Sequence, residues 1–323
     1  MADEFQQRIK YSGDIRELAE RIASDYGFGK VKSADPIPIG FEDYNLKLRT
    51  KLGTYLVKIY AKTRWEEDIL RNVKILKAIT DAGVNHPELF YDQAGQLLHI
   101  DAKTHLQMVA MKFIEGKTFY QLKKIPTIDQ LELIAREAVK INNADCHPAF
   151  VFDAWAIPNM RWMFQKVEKH LTPEGLDLVT QAFNRFNAIP FNQLPTCFVH
   201  GDLNKANIIL GKDHRVYIID FSVSNIYPRI QELAVMATNL LFDEKAKKNT
   251  PLRERLEAVM YSYLNAGGTL TKLERASLFD YCLPGAAMDY MGSVNERFTG
   301  GDSEDIRHWE NLGLQGLREA LLL

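Results

Sequence analysis

The sequence predicts an α+β protein with two lobes, in which an antiparallel sheet carrying one helix is followed by a mainly helical region. Short alternating apolar runs dominate the chain up to about residue 113, and apolar residues at helical spacing dominate the rest. The length of 323 residues also exceeds what one core usually holds. We therefore predict an N-terminal lobe over residues 1–113 and a helical lobe over residues 114–323.

The N-terminal lobe is predicted to begin with a helix over residues 14–26, whose apolar residues share one face and which stops at Gly27. A second helical period runs over residues 66–82 and stops at Gly83. The predicted strands are residues 37–39, 45–50, 55–60, 97–100 and 106–113. The resulting order is β-β-β-α-β-β, which is typical of an antiparallel sheet with one helix packed on it.

The C-terminal lobe is predicted to contain a strong helix over residues 128–143 and further helices to the end of the chain. Short strands around residues 197–220 are the exception. The boundary between the lobes is expected at Phe113–Gly116, where the pattern changes from strands to helices.

Composition excludes several classes of protein. The 40 Lys and Arg residues against 42 acids leave a net charge of −2, which argues against a nucleic-acid partner. Three cysteines without CxxC spacing fit a reducing compartment, and no apolar run is long enough to span a membrane. We therefore expect a cytoplasmic protein without a membrane partner, and the histidine spacing does not predict a zinc site.

The segment Phe198–Leu210 reads H-G-D-x-x-x-x-N between two apolar runs, and it places Asp202 and Asn207 in one tight loop. Asp220 follows the apolar run 216–219, and a hairpin turning at residues 212–215 returns it beside Asn207. A carboxylate in such a loop can orient an acceptor hydroxyl, while amide and carboxylate oxygens hold magnesium. We predict that Asp202 is catalytic and that Asn207 and Asp220 bind Mg²⁺. The alternative for the first loop alone is a turn whose polar side chains bond local backbone.

Lys58 lies inside the predicted strand 55–60, where its ammonium group needs a partner. In phosphoryl transfer that partner is the α- and β-phosphates of a nucleotide, and the alternative is a lysine that extends to solvent. Glu67, at the start of the next helix, is the predicted acid beside it. Gly40 marks a loop expected over the phosphates, and the alternative is a plain hairpin loop. Backbone groups at Met111 and Phe113 are expected at the adenine edge, while their side chains are expected in core or hinge packing. No G-x-x-x-x-G-K-[ST] segment is present, which excludes the P-loop class.

Together these residues resemble the aminoglycoside phosphotransferase and choline kinase-like superfamily, which has the protein-kinase-like fold. The segment Gly40–Asn45 is similar to the G-x-E-N-x-N loop of the homoserine-kinase-like branch. The resemblance implies ATP or GTP and Mg²⁺ as cofactors, and a hydroxyl acceptor such as homoserine, a choline-like compound, a sugar or an aminoglycoside. It also implies that His200 and Glu232 support the catalytic loop.

The chain departs from that pattern at four positions. Asp43 stands at a usual asparagine, Asn204 at a frequent histidine, and Glu232 at a usual aspartate. Asn72 occupies the position of the glutamate that pairs with the strand lysine, which implies either another acid or lowered activity.

The phosphoryl acceptor is predicted to be a small molecule. Only about a dozen residues separate Asp220 from Glu232 and no A-P-E segment follows, so the platform that holds a peptide in protein kinases is missing. We expect the acceptor near Asp289, Tyr290 and Arg297. The excess of acids in this C-terminal region favours an acceptor with an amine, and the alternative explanation is ordinary surface charge. The alternative function is a nucleotide-binding pseudokinase that acts as a scaffold or sensor, and either protein is expected as a monomer or homodimer.

Overall fold

The computed structural model describes residues 4–37, 43–246 and 248–321. Gly40, expected over the nucleotide phosphates, lies outside these residues. The helices are α1 Glu4–Arg8, α2 Ile15–Asp25, α3 Glu66–Asp81, α4 Phe119–Leu122, α5 Ile128–Asn142, α6 Met160–Val167, α7 Pro173–Asn187, α8 Ile230–Val235, α9 Leu252–Asn265, α10 Lys272–Thr299 and α11 Glu304–Leu321. The strands are β1 Val31–Ile37, β2 Tyr44–Thr50, β3 Thr54–Ile59, β4 Leu89–Phe90, β5 His99–Ile100, β6 Gln107–Lys112, β7 Gly116–Thr118, β8 Thr196–Val199, β9 Ile208–Gly211, β10 Val216–Ile218 and β11 Asn225–Pro228.

The chain divides into two compact units, of which the first comprises Met1–Thr80 and His86–Glu115. Its sheet has the order β1-β2-β3-β6-β4, with β5 also paired to β6, and every pairing is antiparallel. Residues at alternate positions of β3 (Tyr55, Val57 and Ile59) are buried in a core that also contains the apolar face of α2. Lys58 therefore lies on the opposite face of β3 from that core.

Local sequence signals explain where these elements begin and turn. Asp14 caps α2, because its carboxylate accepts the backbone N–H of Arg16 at 2.8 Å. In the β2–β3 hairpin, the hydroxyl of Thr50 accepts the backbone N–H groups of Leu52 at 3.0 Å and Gly53 at 3.3 Å. The turn therefore satisfies its own backbone and sets the register in which Asn45 opposes Lys58.

The second unit comprises Asp81–Asn85 and Gly116–Leu323 and is mainly helical. Two small sheets interrupt the helices: β10, β9 and β7 form one, and β11 and β8 form the other. Gly116 lies against the backbone of Leu210 and Gly211 in β9, so closely that a side chain there would collide with it. This close approach explains why residue 116, at the predicted boundary between the strand-rich and helical regions, is a glycine.

The α+β class, with an N-terminal antiparallel sheet and mostly C-terminal helices, is confirmed. The predicted helices at 14–26, 66–82 and 128–143 appear with each end within one residue of its predicted position. Strands β4, β7 and β11 were missed, since two to four residues are too few for alternation to be recognised. Strand β1 begins six residues before the predicted strand 37–39. Within the described residues, none of the helices combines the length and apolarity needed to cross a membrane.

Candidate active site

The loop after β8 is built by backbone geometry and by a buried histidine. Gly201 adopts φ +86°, a conformation that favours glycine, and it turns the chain out of β8. His200 is fully buried, and its Nδ1 accepts the backbone N–H of Asp202 at 3.2 Å. Its proton therefore lies on Nε2, which donates to the Ile219 carbonyl at 3.0 Å. His200 thus links the Asp202 loop to the residue that precedes Asp220.

Burial lowers the pKa of His200, although the Ile219 carbonyl and the charge of Asp220 act in the opposite direction. The ring is therefore neutral at physiological pH, as its two hydrogen bonds require. A neutral ring with both nitrogens engaged is suited to bracing the loop, and it has no nitrogen left for proton transfer.

Asp202 is held by two asparagine side chains of the same loop. Asn204 Nδ2 donates to Asp202 Oδ1 at 2.5 Å, and Asn207 Nδ2 donates to Asp202 Oδ2 at 2.7 Å. Asn207 Nδ2 also donates to the Asp202 carbonyl at 2.9 Å. Because its nitrogen is committed to Asp202, the Asn207 Oδ1 oxygen is the atom of this side chain that can face a cation.

Asp220 comes beside Asn207 through the predicted hairpin. Strand β9 pairs with β10 in antiparallel register, with Ile208 opposite Ile218, and the Ile219 N–H donates to the Asn207 carbonyl at 3.0 Å. Asp220 itself has φ +63° and an exposed side chain. A left-handed conformation at a residue other than glycine is strained, and such strain concentrates at functional sites.

A third carboxylate, Asp153, lies near Asp202 and was missed by sequence reasoning. The pKa of Asp202 is raised to about 7, chiefly by burial and then by the charges of Asp153 and Asp220. Asp153 follows α5 in a loop where the aromatic side chains Phe152 and Trp155 are exposed. An acid between exposed aromatic residues was the only sequence signal for it, and that signal is weak.

Glu232, on α8, is hydrogen-bonded to the backbone of the loop that carries Asp202. Its Oε1 accepts the backbone N–H groups of His200 and of Gly201, the latter at 3.4 Å, while Oε2 has no hydrogen-bond partner in the described part of the chain. The carboxyl is completely buried, and burial raises its pKa to about 7. Glu232 therefore accepts hydrogen bonds from the backbone N–H groups of the loop, while its second oxygen is buried without a hydrogen-bond partner in the described part of the chain.

We expect Glu232→Gln to change the pH dependence of stability. The folded-state pKa lies above the ordinary value of 4.5, so the wild-type protein loses stability as pH rises from about 4.5 to about 7, and the glutamine variant does not. Urea unfolding at pH 5, 6, 7 and 8 should show a difference between the two proteins that shifts by about 2–4 kcal/mol over this range. The exposed Glu257→Gln serves as control, and a difference that is constant with pH would contradict the assignment.

In the first unit, Lys58 Nζ lies 3.2 Å from Asp43 Oδ2. The expected partner Glu67 is exposed at the start of α3, so its assignment beside Lys58 was wrong. Asn72 is buried, and its Oδ1 accepts the hydroxyl of Tyr60 at 2.7 Å. Sequence reasoning missed Asp43 because it precedes β2, and only the antiparallel register brings it to Lys58.

The adenine-edge residues belong to the sheet and its end. Met111 pairs with Leu56 on one side and Leu89 on the other, and its side chain is buried. The Phe113 N–H donates to the Thr54 carbonyl at 3.1 Å, and Lys47 Nζ lies 3.6 Å from the centre of the Phe113 ring. Contact of this segment with a nucleotide base stays a prediction.

The three predicted acceptor residues have different surroundings. Asp289 is half-buried in the wall of a cavity of about 220 Å³ within the second unit, and it is held by Asn239 Nδ2 at 3.3 and 3.4 Å. Tyr290 is fully buried with its hydroxyl 3.3 Å from the Thr172 backbone nitrogen, and Arg297 forms a two-pronged ion pair with Glu310. We therefore retain Asp289 and withdraw Tyr290 and Arg297 as acceptor residues.

The cavity also adjoins the catalytic loop. Asn204 and Lys205 line it, and a π-helical turn over Met236–Leu240 carries Asn239 into its wall. Lys205 Nζ donates to the Phe242 carbonyl at 2.9 Å and pairs with Glu244. Since Asn204 also donates to Asp202, one hydrogen bond separates the cavity wall from the candidate catalytic carboxylate.

Comparison with known proteins decides the family. Residues 33–260 match the phosphotransferase enzyme family, APH. The chain belongs to this family. It is a small-molecule phosphotransferase, and the predicted resemblance is thereby confirmed.

Individual members of the family are distant. A homoserine kinase from Methylobacterium nodulans is 24% identical over 279 residues, covering 85% of this chain and 84% of that protein. A spectinomycin phosphotransferase solved with ADP and spectinomycin has a TM-score of 0.67 at 13% identity, covering 97% of this chain and 100% of that one. A choline/ethanolamine kinase family protein from Mesorhizobium loti has a TM-score of 0.66 at 17% identity, covering 95% and 94% of the two chains. These structural similarities establish the kinase-like fold of this phosphotransferase.

Proposed function

We propose that this phosphotransferase moves the γ-phosphoryl group of ATP or GTP to the hydroxyl of a small acceptor that carries an amine, such as an amino alcohol or a hydroxy amino acid. The observation that carries the proposal is the Asp202 loop, whose carboxylate is oriented by Asn204 and Asn207 beside the exposed Asp220. An oriented carboxylate beside oxygen ligands for a cation is what phosphoryl transfer to a hydroxyl requires.

In the proposed reaction, Asp202 accepts a hydrogen bond from the acceptor hydroxyl and directs its oxygen at the γ-phosphorus. The new bond joins that oxygen to phosphorus, while the bond from phosphorus to the β–γ bridging oxygen breaks and releases the nucleoside diphosphate. The hydroxyl proton passes by way of Asp202 to solvent. Most of the catalysis in this class is positioning and charge stabilisation, so the orientation of Asp202 matters more than its basicity.

Asn207 and Asp220 fit a magnesium ion. One offers an amide oxygen and the other an exposed carboxylate, which are ligands that Mg²⁺ prefers when nucleotide phosphates complete its coordination. The described residues contain no cluster of three or more His, Cys, Asp or Glu side chains arranged for a metal. Bound there, the ion supplies neutralisation of phosphate charge. Asp202, Asp153 and Asp220 already concentrate negative charge at this loop, which favours a dication.

The cavity lined by Asp289 supports an amine-bearing acceptor of limited size. Its volume of about 220 Å³ is below the roughly 300–1,000 Å³ of sites for drug-sized ligands. Burial raises the pKa of Asp289 to about 6, and the charge of Lys205 beside it lowers this pKa only in part, because Lys205 is itself paired with Glu244. An ammonium group of the acceptor is the natural counter-ion for this carboxylate.

The proposal is tested by acceptor-stimulated ADP release with Mg²⁺ across hydroxy amino acids, amino alcohols, choline-like compounds, sugars and aminoglycosides. We expect stimulation by a small amine-bearing alcohol. Nucleotide binding without turnover on any acceptor would favour the alternative, a pseudokinase that acts as a scaffold or sensor.

With the active acceptor in hand, Asp289→Asn should raise the acceptor KM by about tenfold or more and leave the nucleotide KM unchanged, because it removes one ion pair to the acceptor. Asp305→Asn, an exposed change on α11 with the same loss of charge, is the control. An unchanged acceptor KM would remove Asp289 from the acceptor site.

A further inference from the structure

Asp43 is a buried carboxylate that binds two cations at once. Only 5% of the residue is exposed, and its Oδ2 lies 3.2 Å from Lys58 Nζ. Arg64 donates to both carboxylate oxygens of Asp43, with Nε 2.8 Å from Oδ1 and Nη2 3.0 Å from Oδ2. The backbone N–H of Ala61 also donates to Oδ1 at 3.1 Å. The carboxylate is therefore fixed in orientation by three hydrogen bonds from two groups besides the lysine.

The electrostatics of this cluster keep Asp43 charged. Burial by itself raises the pKa of Asp43, but Lys58 and Arg64 outweigh burial and lower the pKa below its ordinary value. The carboxylate is ionised throughout the physiological range, and Lys58 always faces a negative partner.

Arg64 and the backbone N–H of Ala61 hold Asp43 independently of Lys58, because their three hydrogen bonds engage both carboxylate oxygens. The ammonium group of Lys58 therefore meets a carboxylate whose position is already fixed. One N–H of the ammonium points to Asp43, and two donors remain for phosphate oxygens.

Helix α3 does not provide a carboxylate beside Lys58. Asn72 is engaged by Tyr60 and carries no charge, and the side chain of Glu67 is exposed to solvent. At the position on α3 where an acid was expected, Asn72 instead forms a neutral hydrogen bond with Tyr60. The carboxylate beside Lys58 comes instead from the residue that precedes β2.

We propose that Asp43, held by Arg64, is the positioning residue that orients Lys58 toward the nucleotide phosphates, in place of an acid from helix α3. The inference rests on the proposed function of Lys58 in nucleotide binding. Asp43 stands at a position where asparagine is usual, and Asn72 stands at a position where glutamate is usual. Asp43 thus provides the carboxylate that Asn72 does not.

A double-mutant cycle tests this role through the nucleotide KM and kcat of Lys58→Met, Asp43→Asn and the double variant. We expect Asp43→Asn to raise the nucleotide KM on the order of tenfold, the size of a typical coupling between contacting groups. In the Lys58→Met background the same change should have no further effect on nucleotide KM, because its target is gone. A merely structural role of Asp43 would lower activity equally in both backgrounds, and that result would overturn the proposal. The control Glu67→Gln should behave as wild type in both parameters.

Arg64→Gln provides a second variant that leaves Asp43 and Lys58 in place. It removes the two hydrogen bonds that fix the orientation of Asp43, so the nucleotide KM should again rise by roughly tenfold, whereas an unchanged KM would overturn the proposal even if Asp43→Asn does not fold. The outcomes also separate the two levels of inference. If Lys58→Met has normal nucleotide KM and kcat, the role of Lys58 itself is wrong; if it is impaired and Asp43→Asn is not, only the role of Asp43 is wrong.

Discussion

Asp202→Asn is expected to lower kcat by roughly 10²–10⁴-fold, because the amide cannot accept the acceptor proton and its nitrogen turns a donor toward the reacting oxygen. Nucleotide affinity should change little, since the phosphates are assigned to other groups. The measurement is ADP release at saturating acceptor together with direct titration of Mg–ATP.

The same variant should fold at least as well as the wild type. Asp202 shares its surroundings with Asp153 and Asp220, and removing one of three neighbouring negative charges relieves repulsion. A catalytic residue that costs stability is typical of active sites. Thermal unfolding at pH 8 therefore distinguishes lost chemistry from lost structure.

Asp213→Asn is the matched control for this experiment. Asp213 lies in the turn of the β9–β10 hairpin, where its exposed carboxylate accepts the hydroxyl of Tyr217 at 2.6 Å. The change removes the same charge from the hairpin that follows the Asp202 loop, without touching that loop, so kcat should be unaltered. Near-normal phosphoryl transfer by Asp202→Asn would show that Asp202 is not the catalytic carboxylate.

Arg229→Ala is expected to have the largest effect on stability, about 3–5 kcal/mol in the free energy of unfolding. Arg229 Nε and Nη2 donate to the two oxygens of Glu274 at 3.0 and 2.7 Å, and Glu274 is fully buried. Removing the arginine leaves a buried carboxylate without its counter-ion. Urea unfolding at pH 7.5 measures the loss.

Two further variants separate the lost pair from lost packing. Arg229→Met with Glu274→Gln removes both charges, and it should recover much of the stability because no charge is buried alone. Arg16→Ala breaks an exposed pair with Glu20 and should change the free energy of unfolding by less than about 0.5 kcal/mol. A loss for Arg229→Ala no larger than that for Arg16→Ala would contradict the buried-pair argument.

The Arg229 prediction bears on function because of its place in the chain. Arg229 precedes α8, the helix whose Glu232 accepts the backbone N–H groups of His200 and Gly201. Weakening this end of α8 should loosen the loop that carries Asp202. We therefore expect activity of Arg229→Ala to fall at temperatures below the unfolding midpoint.

Most of the candidate site in the second unit was predictable from sequence because its residues are close along the chain. Asp202 and Asn207 are five residues apart, and the hairpin that brings Asp220 to them has its turn and both strands within a short local segment. Short-range spacing of this kind limits the possible geometry, so a pattern of residue types is enough to suggest the chemistry.

The failures came from side chains whose environment depends on distant segments. Tyr290 and Arg297 have the right chemistry for an acceptor site, but helix packing buries one against Thr172 and pairs the other with Glu310. Glu67 had the right charge, yet its side chain is exposed at the start of α3. Asp153 was missed because the loop that places it near Asp202 shows no regular period.

The sequence alone determined the α+β class, the order of the main strands and helices, and the loop H-G-D-x-x-x-x-N with the Asp220 hairpin, because these follow from local periodicity and short spacing. Only the tertiary structure decided which acid meets Lys58, since Asp43 reaches it through the register between β2 and β3 and through the grip of Arg64. It also decided that Asp289 lines a cavity while its neighbour Tyr290 does not. Both outcomes depend on long-range packing, which residue spacing along the chain does not encode.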